Sequence, residues 1–170
     1  YSSLPHVGAG NMPTCSDQLL DVQTAAEEGL TSGKFLFDRR MVLYSKIRPY
    51  LRKASRPDFD GLCSADVYPL LPKAGILERD YLFYLLLGPD FTEYAITGSA
   101  RAGMPKVNRE HLFKYSFELP DADRQRNIVA LLDETLSKSR ALGADYTSKQ
   151  EALDSLRQAL LQKAFSGELA

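Results

Sequence analysis

Tyr44-Ser45-Lys46-Ile47-Arg48-Pro49-Tyr50-Leu51-Arg52-Lys53 packs guanidinium, ammonium, hydroxyl and aromatic groups into ten residues. Lys and Arg neutralise phosphates and release counterions, which makes affinity salt-sensitive. The Arg fork also matches the acceptor edge of guanine. Tyr44, Lys46, Arg48, Tyr50, Arg52 and Lys53 are therefore candidate contacts to a nucleic acid. A second candidate stretch is the small-residue loop from Gly98 to Pro105 with the residues just after it, which carries Arg101, Lys106 and Asn108. Asn108 has two readings. It pairs bidentately with adenine, or it caps a helical turn running through Phe113.

No catalytic set accompanies these groups. The sequence lacks G-x-S-x-G, H-E-x-x-H and a P-loop lysine motif. Asp58, Asp60 and Asp66 offer a metal-nuclease alternative, but no D…ExK spacing follows, and turn chemistry around Pro57 and Gly61 accounts for the first two. Neither Asn-Pro-Pro-Tyr nor Asp-Pro-Pro-Tyr occurs, so base methylation by this chain is not expected. Cys15 and Cys63 stand apart from any CxxC spacing, with only His6 and His111 to assist. Two reduced thiols are expected, with no metal and no cofactor.

Charge along the chain is uneven. Residues 1–33 hold Asp17, Asp21, Glu27 and Glu28 and neither Lys nor Arg. Residues 34–56 hold Lys34, Arg39, Arg40, Lys46, Arg48, Arg52, Lys53 and Arg56 against Asp38 alone. The net charge of -1 thus hides a local basic block. From residue patterns alone, a nucleic-acid binder and a protein-binding module are equally good accounts of it.

The elements that must position these groups split near Pro120. Before it the chain reads as α+β. Met41 to Arg48 alternates, so a strand here puts Met41, Leu43, Ser45 and Ile47 inward and Val42, Tyr44, Lys46 and Arg48 outward. Asp66 to Leu70 is a second strand candidate. Arg79 to Leu87 reads as a short helix stopped by Gly88-Pro89, with Asp90 capping another through Ile96. Tyr115 to Leu119 reads as a final strand.

After Pro120, residues 121–165 contain no proline and only Gly143 as glycine. Ile128, Leu132, Leu142, Tyr146, Leu153, Leu156 and Leu160 fall at helical spacing in one heptad frame. Asp121 and Asp123 suit a helix start. One continuous helix is expected, the alternative being a hairpin broken near Gly143. A helix of this length needs a partner helix for its seam, so self-association is expected.

The bulk numbers agree with a folded chain. Over 170 residues, 44% are apolar and 25% charged, ordinary values for a globular protein. No run approaches the roughly 20 apolar residues of a membrane span. No secretory signal opens the chain, so a cytoplasmic location is expected.

Five blocks of the sequence, in order, resemble the specificity subunit of type I restriction-modification systems. Val42 to Leu51 resembles that family's signature strand, and Asp60 to Asp66 its next block. Gly103 to Asn108 resembles the loop before the recognition domain's last strand. Leu119-Pro120 with Arg124 to Val129 resembles the entry to the family's long helix, and Leu156 to Leu169 its exit. Members commonly show Pro-Pro-Leu and a Glu-Gln pair at that entry, where this chain has Pro120-Asp121-Ala122 and Arg124-Gln125.

The resemblance implies an α+β target recognition domain over residues 1–120, N-terminally incomplete, and a long coiled-coil helix over 121–170. The domain would read one half of an interrupted double-stranded DNA site. The helix would set half-site spacing and dock methyltransferase subunits, and through them the restriction subunit. A family member carries two such halves, so this chain is either a fragment or a half-subunit that dimerises. The alternative is a protein-docking scaffold working through the helix, with a non-specific basic surface.

Overall fold

The structure is a computed structural model that describes residues 1–30, 34–99 and 104–166. The chain forms two units, Tyr1–Val129 and Ala130–Ala170. The first unit is built on two small sheets. One contains β1 (Pro5–Val7), β2 (Gln23–Thr24), β3 (Lys34–Phe37) and β6 (Gly61–Ser64), in the order β2-β1-β6-β3. The other contains β4 (Val42–Ser45), β5 (Ala54–Ser55) and β7 (Val67–Leu70), in the order β5-β4-β7. Three short helices follow: α1 (Arg79–Leu87), α2 (Pro89–Thr97) and α3 (Arg109–Phe113). The last element, α4, spans Ala122–Ser166. This is an α+β fold with a long C-terminal helix. Among the described residues no helix is long and apolar enough to cross a membrane.

β4 is the strand on which the domain turns. Its sequence, Val42-Leu43-Tyr44-Ser45, is buried at every position. Val42 and Tyr44 join Ala54, Phe83, Leu86 and Phe91 in one core. Leu43 joins Val7, Met12, Phe37, Cys63 and Val67 in a second. The alternation expected for a half-exposed strand is therefore corrected. A strand between two apolar layers is buried on both faces, and its polar-looking side is a core side. Tyr44 is 1% exposed and meets Phe91 edge to face at 5.3 Å. Burying such a ring stabilises by about 1.5–3 kcal/mol, and the aromatic pair adds about 1 kcal/mol.

Charged groups also brace the interior. The Arg56 guanidinium lies 3.4 Å from Asp17 and 3.2 Å from Asp80, and over the rings of Phe83 and Tyr84 at 4.8 and 5.3 Å. Arg79 donates to the carbonyls of Pro57 and Met41 at 2.6 and 3.3 Å. Burial lowers the Arg79 pKa, partly opposed by Asp80 beside it. These contacts tie α1 to the loop ends that flank β4 and β5.

The helices follow local sequence with two adjustments. α2 starts with Gly88 as its cap residue and Pro89 in the first turn, so Asp90 lies inside the helix rather than capping it. The residues 115–119 form no strand. The Tyr115 ring packs instead on Phe91, Tyr94 and Phe117, at 5.1, 4.9 and 5.7 Å. Ring packing at Tyr115, not strand pairing, anchors this segment.

α4 begins where the acids favour it. The Asp121 carboxylate accepts from the Arg124 amide at 2.8 Å. Gln125 is buried and saturated: its Oε1 accepts from the Glu78 amide at 2.8 Å, and its Nε2 donates to Pro120 O at 2.8 Å and Ile76 O at 3.0 Å. The helix runs through Gly143 without a break, consistent with the cost of about 1 kcal/mol for a helical glycine. In the second unit Leu142, Tyr146, Leu153, Leu156 and Leu160 are exposed.

Candidate nucleic-acid interface

The two basic stretches meet through their backbones. Ile47 and Lys106 form an antiparallel bridge. The Arg48 amide donates to Pro105 O at 2.9 Å, and the Val107 amide donates to Lys46 O at 2.8 Å. The Tyr68 hydroxyl donates to Val107 O at 3.1 Å, tying the second stretch to β7. Residues just after β4 are thereby clamped to the segment that leads into α3. Charge completes the join: Lys106 Nζ lies 3.1 Å and Lys46 Nζ 3.7 Å from the same Asp66 carboxylate oxygen.

Beyond the bridge the chain makes a tight turn. Arg48 and Arg52 both take left-handed backbone, with φ of 50° and 48°, on either side of a 3-10 turn at Pro49–Leu51. Left-handed backbone costs an L-residue of the order of 1–2 kcal/mol. The strain is held by the Arg52 side chain, which donates from Nε to Leu87 O at 2.7 Å and also from Nη2. Arg48 and Tyr50 remain exposed.

The Lys46 and Lys106 side chains are thus brought together, and the Arg48 backbone joins the same bridge, with Tyr50 in the adjoining turn. Other candidates go elsewhere. Tyr44 is core, and burial raises its pKa. Arg52 faces the C-terminal end of α1. Lys53 Nζ donates to Ala9 O at 2.9 Å. Tyr44, expected to face a ligand, is buried in the core, while Arg52 and Lys53 are held by acceptors that the linear sequence does not show. Asn108 resolves to its capping reading, its Oδ1 accepting from the His111 amide at 2.7 Å. Arg101 lies outside the described residues.

Two nearby residues escaped the sequence reading as parts of this surface. Asp66, in the sequence a nuclease acid, a strand start and the end of a family block, sits against two lysines. Arg109, exposed in the first turn of α3, lies close enough to Tyr68 for its charge to oppose the rise that burial gives that phenol's pKa. A basic residue directly after a helix cap was the signal available for it. The three acids of the nuclease alternative have separate roles. Asp60 pairs with Arg39, Asp66 with the lysines, and Asp58 is exposed. Among the described residues no group of three or more His, Cys, Asp or Glu could hold a metal ion.

The helix-pairing candidates divide by exposure. Ile128 and Leu132 are half-buried near the start of α4, while Leu142, Tyr146, Leu153, Leu156 and Leu160 are exposed.

Comparison with known proteins adds the lineage. No family model matches the chain. It is 31% identical over 169 residues, 99% of its length, to the Type I restriction enzyme EcoDI specificity subunit of Escherichia coli. The chain is a homologue of type I restriction specificity subunits. It spans 37% of the EcoDI subunit's length. Two solved structures share the fold. The HsdS subunit from Thermoanaerobacter tengcongensis superposes with a TM-score of 0.71 at 21% identity, over 82% of this chain and 37% of that one. A chain from a structure addressing complex assembly and conformational transition of the type I R-M system gives a TM-score of 0.76 at 20% identity, over 93% and 42%. The match to specificity subunits therefore covers about one recognition domain plus one long helix.

Proposed function

We propose that this chain is a DNA-reading half of a type I specificity subunit, without catalytic chemistry of its own. The observation that supports the reading is the Ile47–Lys106 bridge, which joins the two basic stretches through their backbones and beside which Lys46 and Lys106 converge on Asp66, with Arg48 and Tyr50 exposed in the adjoining turn. Ammonium groups on a rigid backbone neutralise phosphates. An exposed arginine at the start of a turn can enter the major groove and pair with guanine. The surface would bind one half of a bipartite double-stranded site. Arg101, outside the described residues, and Asn108, whose Oδ1 caps α3, would be further contacts to the duplex.

On this reading residues 1–120 recognise DNA, and residues 121–170 serve as spacer and docking segment. The exposed stripe from Leu142 to Leu160 supports the second role, because an apolar seam of this length needs a partner. The partners would be a second such helix and the methyltransferase subunits, with the restriction subunit reached through them. If two copies of this chain supply the two halves, the site they read is palindromic. The location of such a complex would be the cytoplasm, where the DNA is. The same stripe also suits a pure docking scaffold, which would bind a methyltransferase subunit and show no sequence preference on DNA.

Selection from a randomised duplex library tests the reading. The intact chain should enrich one short motif reproducibly over successive rounds. Enrichment of no sequence, alongside retained capture of a methyltransferase subunit, would leave the scaffold.

A further inference from the structure

We propose that Asp66 sets the selectivity of the basic face, by occupying both lysines in the free protein and so restraining binding to DNA of arbitrary sequence. The inference rests on the DNA-reading function proposed above.

Asp66 sits in the turn between β6 and β7, and its backbone is fixed on both sides. Its amide donates to Ser64 Oγ at 3.2 Å, and its carbonyl accepts from the Lys46 amide at 3.0 Å. The carboxylate is thereby delivered to the place where two lysines distant in sequence converge, 3.1 Å from Lys106 and 3.7 Å from Lys46. The Asp66 and Lys106 side chains are 40% and 42% exposed. Ion pairs this open to water contribute little to stability. The neighbouring backbone hydrogen bonds already hold the two segments together. Stability is therefore a weak account of why an acid stands there.

Its electrostatic consequence is larger. An approaching phosphate must displace the carboxylate from each lysine and come near a charge of its own sign. Fewer counterions are then released per lysine engaged, and sequence-independent binding weakens. A duplex whose bases are read by Arg48 and its neighbours offsets that penalty; an arbitrary duplex does not. The carboxylate thus raises discrimination to the extent that arbitrary duplexes lean on the two lysines more than the base-read duplex does, acting as a repulsive element.

The test measures binding of the intact chain to a random-sequence duplex by fluorescence anisotropy across a salt series. Asp66→Asn should bind several-fold more tightly at low salt, with a steeper log–log salt dependence of about 0.9 per phosphate gained. Asp66→Glu should stay near the parent chain. Asp66→Asn combined with Lys106→Met should lose the gain. The motif enriched by Asp66→Asn from a randomised library should be more degenerate. Thermal melting of Asp66→Asn and Asp66→Ser checks that both fold. The inference is overturned if neither folded variant binds random duplex more tightly, or if the gain survives Lys106→Met. If the parent chain shows no salt-sensitive binding at all, the DNA-reading function fails and takes this inference with it. If the parent binds and Arg48→Ala weakens it while Asp66→Asn brings no gain, only the role of Asp66 is lost.

Discussion

The main chain of Ile47 pairs antiparallel with that of Lys106, and the side chains of Lys106 and Lys46 converge on one carboxylate, that of Asp66. Chain segments far apart in sequence are thereby fused into one short basic edge. The strand that feeds this edge, β4, is buried on both faces, so the edge is held by two cores.

Two tyrosines of the same basic block should behave oppositely. Tyr44→Ala removes a ring buried beside Phe91 and should destabilise the first unit by about 3 kcal/mol or more. Tyr50→Ala removes a side chain that is 52% exposed and should change stability by less than about 0.5 kcal/mol. Urea unfolding reads both. On DNA the order inverts: Tyr50→Ala should weaken duplex binding, while Tyr44→Phe should leave it unchanged.

Gln125 should be the most sensitive polar residue at the root of α4. Gln125→Ala strands the Glu78 amide and the carbonyls of Ile76 and Pro120. A buried group left unpaired costs about 1–3 kcal/mol. A drop in urea midpoint of this size is expected. A midpoint equal to that of the parent chain would mean that Gln125 is not buried in solution.

The two cysteines should differ in reactivity, and one should mark alkaline unfolding. Cys15 is exposed and Cys63 buried. Burial pushes the Cys63 thiol up from 9.0 to about 12, and Tyr44 shifts upward for the same reason. A raised pKa means that the folded chain keeps a proton the unfolded chain has lost. The stabilisation is complete below about pH 9 and is lost as pH climbs towards 12. The native chain at pH 8 should label rapidly at one thiol, and at two in urea. Cys63→Ala should flatten the fall in stability above pH 9.

The helices were legible because their signals are local. Gly88-Pro89 ends α1, Asn108 caps α3, and the proline-free stretch after Pro120 forms one helix. The strand Val42–Ser45 was legible as a strand but not in its facing. Period-two alternation assumes one wet side, and here a second core covers it. Arg52 and Lys53 read as ligand contacts because their acceptors, Leu87 O at the end of α1 and Ala9 O in a turn, come from segments remote in sequence. The strands β1, β2, β3, β5 and β6, two to four residues each, carry too few positions for a period to register. The Lys46–Asp66–Lys106 cluster depends on a backbone bridge that no local pattern encodes.

The exposed stripe of α4 should drive association. Sedimentation at tens of micromolar is expected to show species larger than monomer. Leu153→Glu combined with Leu156→Glu should return the chain to monomer. A parent chain that sediments only as monomer would remove self-association as a route to the second half-site.

The most direct measurement is duplex binding by the intact chain across a salt series, compared with Arg48→Ala and Lys106→Ala. Both variants should keep their unfolding midpoints, bind more weakly, and lose about 0.9 from the log–log salt slope for each phosphate contact removed. Unchanged affinity and unchanged slope in both folded variants would contradict a DNA-reading face at the Ile47–Lys106 join.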